Sequence, residues 1–189
     1  MKIYIIRHAK VNMKWPKQCN SNEFDTACMI YNRSDIKKIN NTKLNIPNDN
    51  IYVSGMKRSI RTAQILFPTS KYHIVSSISE VPLKSFTDTT AIFPLWVWNI
   101  MGRLQWLFNS SRQDEKRKDT IVRAKKFISQ LEKRDEDCVL VTHGFFMKTL
   151  LQVLKNNGYN VHGNKALKFS NLQVVLAEKE EIIDNRLNG

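Results

Sequence analysis

Cysteine is scarce and odd in number. Cys19, Cys28 and Cys138 are the only three, and one of them sits in an apolar strand-like run, which excludes a disulfide framework and points to a reducing compartment. No C-x-x-C occurs, and no histidine stands near Cys19 or Cys28, so no zinc site is expected. Glycine (6) and proline (5) are few in 189 residues; no repeat, linker or low-complexity tract divides the chain, and one domain with a sizeable core is expected. Long apolar runs are missing as well. The first covers only residues 3–6 before meeting Arg7, which argues against a signal peptide and for a cytoplasmic location. Acidic side chains are in deficit, 17 against 30 basic ones, giving a net charge of +13 and a pI near 9.8. That balance suggests anionic partners: phosphorylated small molecules, nucleic acid or an anionic membrane surface. Lysine, asparagine and isoleucine abound along the whole chain, however, so part of the charge reflects general composition.

What is present alternates. IYII (3–6) and CVLVT (138–142) are continuous apolar runs of the kind found in parallel strands covered on both faces. IYVS (51–54), YHIV (72–75) and QVVLA (173–177) are further strand candidates. Between them lie helical patterns. Ser54 is positioned to cap a helix with Met56, Ile60, Ala63 and Phe67 on its apolar face, ended by Pro68. Ile121, Ala124, Ile128 and Leu131 stripe a charged helix of about six turns. Met147, Leu150, Leu151 and Leu154 stripe another, closed by Gly158. Ser21 is expected to cap a short helix with Phe24, Cys28 and Tyr31 inward. Residues 32–50 read as loop. The pattern predicts a three-layer α/β/α sandwich with a mainly parallel sheet.

Polar groups collect where the strands end. Arg7 and His8 follow the first strand, Ser54 ends another and leads to Arg58, and His143 and Gly144 follow CVLVT. In a parallel sheet the strand C-termini share one edge, where ligands bind. Arg7, His8, Arg58 and His143 therefore converge, and two guanidiniums, two imidazoles and helix N-termini make an anion pocket suited to phosphate. A neutral imidazole can attack phosphorus and hold the phosphoryl group; a second can donate hydrogen bonds as charge builds. Arginine suits the task through its planar, permanently charged fork. A departing alkoxide then needs an acid, Asp or Glu, at the rim. Arg61 rivals Arg58 one turn later, but the spacing from Ser54 favours Arg58. Gly144 permits close backbone approach. His73 and His162 read as structural or exposed.

IIRHAK, SGMKRSIRTAQ and VTHG, in that order, resemble the motifs of the histidine phosphatase superfamily, with its phosphoglycerate-mutase-like fold. Each motif is weak alone; the ordered set is specific and covers 1 to about 67 and 138 to 189. The resemblance implies that His8 is the phosphorylated nucleophile and that Arg7, Arg58 and His143 bind the phosphoryl group. The acid in this family follows the next strand, which points to Glu80, with Asp88 as its substitute. It also implies a phosphatase acting on a small phosphomonoester, with no metal or organic cofactor. The chain departs from the family at Ala9, Lys10 and Val11, where Gly-Glu-Thr is usual, and at Gly55, where proline is common.

The alternatives are a phosphate-binding module of the same fold without turnover and a mutase-like phosphotransferase, which the short chain leaves little room for. A nucleic-acid binder is a further alternative on charge alone, with no matching module in the sequence. Residues 86–112 are aromatic and apolar almost all round, yet too short and too interrupted to span a bilayer. They are expected to form a lid lined by Trp96, Trp98, Trp106 and Phe93, ahead of a core or dimer contact, and ahead of a membrane-surface element.

Overall fold

A computed structural model describes residues 1–39, 44, 46, 49–163 and 169–179. Strand β1 (Lys2–Arg7) has no solvent face, since Ile3, Ile5 and Ile6 are all fully buried, and it accordingly takes an inner place in a six-stranded sheet. The other strands of that sheet are β3 (Ile51–Ser54), β4 (Tyr72–Val75), β6 (Cys138–Thr142), β7 (Asn160–His162) and β8 (Val174–Glu178). Their order is β4-β3-β6-β1-β8-β7. The pairs β4–β3, β3–β6 and β6–β1 are parallel, while β8 runs antiparallel to both β1 and β7. The sheet is thus mainly parallel, as the alternating pattern predicts.

Alternation along the strands divides the core. Ile3, Ile5, Tyr52, Cys138 and Leu140 turn to one face and pack on helices α4 (Arg117–Glu132) and α5 (Gly144–Asn156). Ile6, Ile51, Val53, Val139 and Val141 turn to the other and pack on Ala63 and Phe67, in and just after α2 (Lys57–Leu66). Successive strand residues point to opposite sides, so two apolar faces require helices on both, and three layers result. A smaller core of Cys19, Phe24 and Trp98 joins α1 (Ser21–Arg33) to α3 (Leu95–Leu107), beside a two-stranded ribbon of β2 (Gln18–Cys19) and β5 (Phe93–Pro94).

Local details correct several expectations. Asn20, not Ser21, caps α1: its side chain accepts from the Glu23 amide and Glu23 reaches back to the Asn20 N–H. The Ser21 hydroxyl instead donates to the Thr89 carbonyl. Met56 is the cap residue of α2; Ser54 remains the last residue of β3, and its hydroxyl accepts weakly from the Met56 amide at 3.4 Å. Helix α4 has 16 residues, about four and a half turns. It is shorter than the roughly six turns expected because the chain before Lys116 turns, with Glu115 folded back onto Arg123 at 2.8 Å. The 32–50 loop starts later than expected, since α1 runs to Arg33, and Ile36 bridges Val11. Residues 40–43, 45, 47 and 48 lie outside the described residues. Gly158 closes α5 in the left-handed conformation, φ 87°. Among the described residues no helix is long and apolar enough to cross a membrane.

Candidate active site

The parallel register of β1 and β6 pairs Arg7 with Thr142, so the residues one step beyond, His8 and His143, meet past the strand ends. The His8 amide donates to the Thr142 carbonyl at 2.9 Å, and the two imidazole centroids lie 5.0 Å apart. Strand β3 ends beside them and delivers Ser54, whose hydroxyl lies 2.7 Å from His143 Nε2. Helix α2 then carries Arg58 back over the same edge. The convergence follows from the parallel sheet itself, since the C-termini of β1, β3 and β6 share one edge.

Arg58 is the hub. It is 1% exposed, and its Nε–H lies 3.2 Å from His8 Nε2 and 3.1 Å from His143 Nδ1. Its Nη1 donates to Asn32 Oδ1 at 3.1 Å and its Nη2 to the Met56 sulfur at 3.2 Å. Tyr31 lies beneath the guanidinium, 4.9 Å from ring centre to Cζ. The rival, Arg61, points elsewhere, to Asp35 and Gln64. Thr62 ties the scaffold together by donating to the Arg58 carbonyl at 2.6 Å and accepting the Ala9 amide at 2.9 Å.

These contacts fix the tautomers. Both ring nitrogens facing Arg58 accept, so the proton of His8 sits on Nδ1 and is donated to the Ala9 carbonyl at 2.7 Å. His143 carries its proton on Nε2, toward the Ser54 and Ser59 hydroxyls. Burial, reinforced by the Arg58 charge, lowers the His8 pKa to about 3, and the same two causes hold His143 well below its ordinary value. Both rings are neutral at physiological pH.

Arg7 completes the cationic wall. One Nη donates to the Phe169 carbonyl, while Nε is buried without a hydrogen-bond partner among the described residues. Gly144 is what lets the guanidinium lie there, because a Cβ at that position would stand 2.9 Å from Arg7 Nε. The segment before β8 clasps the pair from behind: Asn171 donates to the His8 carbonyl at 2.8 Å and the Leu172 amide to the Arg7 carbonyl at 3.0 Å.

A cavity of about 490 Å³ opens in front of Arg7 and Arg58. Glu80 lines it, and its carboxyl group caps the N-terminus of α5, accepting from the amides of Phe145 at 3.3 Å and Phe146 at 2.9 Å. Asp88, the substitute acid, is not there. It is 81% exposed and ion-paired to Arg112, whose hydrogen bond holds its carboxyl below the usual range. The far walls are Trp15, Tyr31, Leu83 and, from α3, Leu95, Asn99 and Arg103. Arg103 lies over the Phe145 ring at 3.7 Å and donates to the Val81 carbonyl. The tryptophans expected to line this side do not. Trp98 is fully buried against Phe24, Trp106 donates to Thr120, and Trp96 is 63% exposed; Phe93 packs on Phe86 and Trp98.

Sequence reading missed Tyr31, Asn32, Ser59, Thr62, Asn171 and Arg103. Ser59 and Thr62 lie inside SGMKRSIRTAQ, and Thr62 stands four residues after Arg58, the spacing of a side chain that can reach back to that carbonyl. Tyr31, Asn32 and Arg103 approach from α1 and α3, outside the sheet, where no strand end announces them.

The fold has known counterparts. One is a functionally characterised open reading frame from Mycobacterium tuberculosis, at TM-score 0.62 and 11% identity over 95% of this chain and 92% of that one. A second is a phosphoserine phosphatase from Entamoeba histolytica solved with phosphoserine, at TM-score 0.58 and 16% identity over 93% and 89%. A third is a mycobacterial glucosyl-3-phosphoglycerate phosphatase, at TM-score 0.52 and 14% identity over 81% and 78%. No curated protein sequence matches the chain. The sequence profile of the histidine phosphatase superfamily (branch 1) matches residues 3–181, nearly the whole chain, and the protein belongs to that superfamily of phosphatases and mutases.

Proposed function

We propose that the protein is a phosphatase that hydrolyses a phosphomonoester through a phosphohistidine on His8. The observation that carries this reading is the placement of the His8 ring between the Ala9 carbonyl and Arg58. Its Nδ1–H is held by the Ala9 carbonyl at 2.7 Å, so the lone pair of Nε2 faces Arg58. A pKa near 3 keeps that lone pair free of a proton. A phosphoryl oxygen entering the pocket takes over the Arg58 Nε–H and leaves Nε2 directed at phosphorus. Arg7, with an unsatisfied buried Nε, supplies the second guanidinium.

In the first step Nε2 forms a bond to phosphorus as the bond to the leaving oxygen breaks, and that oxygen takes a proton from the Glu80 carboxyl. In the second, water attacks phosphorus, gives a proton to the Glu80 carboxylate, and the N–P bond returns its electron pair to Nε2. Phosphate departs, and Glu80, protonated by that water, is again the acid with which the cycle began. His143 begins as an acceptor from Arg58; the charge of an arriving dianion favours uptake of a proton from solvent on Nδ1, which makes the ring a donor to the transferring group. The walls beyond Glu80, with Trp15, Tyr31, Leu83 and Leu95 beside Asn99 and Arg103, suit a small phosphomonoester with a partly apolar leaving group, and α3 covers this side of the pocket.

The test is hydrolysis of p-nitrophenyl phosphate in the presence of EDTA, by the wild type and by His8→Ala. Turnover by the wild type and its loss in a folded His8→Ala protein are expected. Undiminished activity in His8→Ala overturns the mechanism, and phosphate binding with no turnover by the wild type identifies a non-catalytic binding module instead. A panel of phosphomonoesters then ranks leaving groups.

A further inference from the structure

We propose that the outer face of α3, together with the basic groove at its C-terminal end, docks the protein on the surface of an anionic lipid bilayer. Helix α3 turns Trp98, Gly102 and Trp106 into the molecule and Leu95, Asn99 and Arg103 toward the pocket. The remaining face looks outward and carries no charge. Trp96, Ile100, Leu104 and Phe108, spaced four apart, are 63%, 51%, 39% and 77% exposed. Met101 and Leu107 flank them at 38% and 41%. A helix packed on a globular core normally places charged residues there. In α3 the one charged residue, Arg103, faces the pocket instead. A contiguous exposed apolar face of this kind marks an interaction surface.

The neighbouring groove indicates the partner. Between α4 and α5 a cavity of about 390 Å³ is lined by Arg117, Lys125 and Lys148 with no carboxylate, and Trp106 of α3 forms part of its wall. Leu107 and Phe108 follow Trp106 directly, so the apolar face ends where the basic groove begins. None of the three cations has an ion-pair partner among the described residues. An apolar strip containing an exposed tryptophan, bordered by unpaired cations, matches the interface of an anionic bilayer, where acyl chains meet negative headgroups. A second copy of the chain fits poorly. A two-fold dimer sets the same patch against itself, which joins two chains of net charge +13 and leaves both grooves without anions. At 13 residues, α3 is too short to span the bilayer and would lie in its plane.

The experiment is co-sedimentation of the full chain with vesicles of phosphatidylcholine alone or of an equal mixture with phosphatidylglycerol, alongside sedimentation velocity without lipid. Binding to the mixed vesicles, weak or no binding to the neutral ones, release by salt and a monomer in solution are expected. Trp96→Ser with Phe108→Ser is expected to weaken binding about tenfold or more. Lys125→Ala with Lys148→Ala is expected to weaken it about fivefold for each cation removed. Both double variants should keep the wild-type melting profile, so that lost binding is not lost folding. No binding to either vesicle overturns the proposal, as does equal binding to both. A dimer that Trp96→Ser with Phe108→Ser dissociates also overturns it, and assigns the face to self-association. The vesicle readout does not depend on catalysis, so it stands or falls separately from the phosphatase reading.

Discussion

Two sides of one pocket are built differently. At the sheet edge, Arg58 binds both imidazoles, Asn32 and Met56, while Thr62 locks its backbone to the residue after His8. On the α3 side, Leu95, Asn99 and Arg103 face the same cavity from a helix whose outer surface has no described partner. Groups that must meet phosphorus need fixed geometry, and strand ends in a parallel sheet supply it. In the proposed reaction, groups that meet the leaving group need only shape and charge, which a helix outside the sheet can supply. Under the proposed reaction, the difference would separate how the chemistry is done from which molecule it is done to.

Substitutions on either side sharpen that division. Arg58→Lys is expected to cost on the order of 10²–10³ in kcat with p-nitrophenyl phosphate, because a point charge cannot bridge both rings and grip two oxygens. Steady-state kinetics read it; a change confined to KM would mean that Arg58 only binds. Glu80→Gln keeps the acceptor for the α5 amides but loses the proton. It should slow an alkyl phosphomonoester by about 10²-fold or more and p-nitrophenyl phosphate less, since nitrophenolate leaves without an acid. Equal losses on both substrates would remove Glu80 from the proton-transfer role.

Acid should weaken the sheet-edge side specifically. His8 is held neutral down to about 3, and His143 is also well below the ordinary 6.5, so the unfolded chain binds more protons than the folded one through that interval. Stability is therefore complete above about 6.5 and falls as pH drops toward 3, by up to about 1.4 kcal/mol per pH unit for each ring. Thermal melts from neutral pH to about 5 should show the fall, and His143→Asn should flatten it. Arg103→Met should leave p-nitrophenyl phosphate turnover within about threefold, while changing the order of preference among larger phosphomonoesters. Loss of all activity would place Arg103 with the phosphoryl-binding groups.

Much of the sheet edge was legible in the sequence because its logic is one-dimensional. A continuous apolar run that stops at Arg7 must be a covered strand ending at an edge, and IYVS and CVLVT repeat the pattern. Their shared direction brings Arg58 and His143 to His8 without knowledge of any side-chain contact. Caps were less legible: Ser21 was the expected cap of α1, and only the reciprocal bond with Glu23 shows that Asn20, one residue earlier, takes that place. The 86–112 segment was least legible. Its three tryptophans and three phenylalanines are apolar in every direction, so periodicity cannot separate Trp98, which fills the small core, from Trp96, which faces outward. The residues that do reach the pocket, Leu95, Asn99 and Arg103, share no chemistry that would single them out.

The central claim is that His8 carries the phosphoryl group between the two half-reactions. Mass spectrometry of protein quenched in alkali during turnover tests it most directly. One phosphoryl group on the peptide bearing His8, lost on brief acid treatment and missing from His8→Ala, is the predicted result. An acid-stable phosphate on another residue, or an unmodified His8 while turnover proceeds at a rate that trapping would capture, would contradict it.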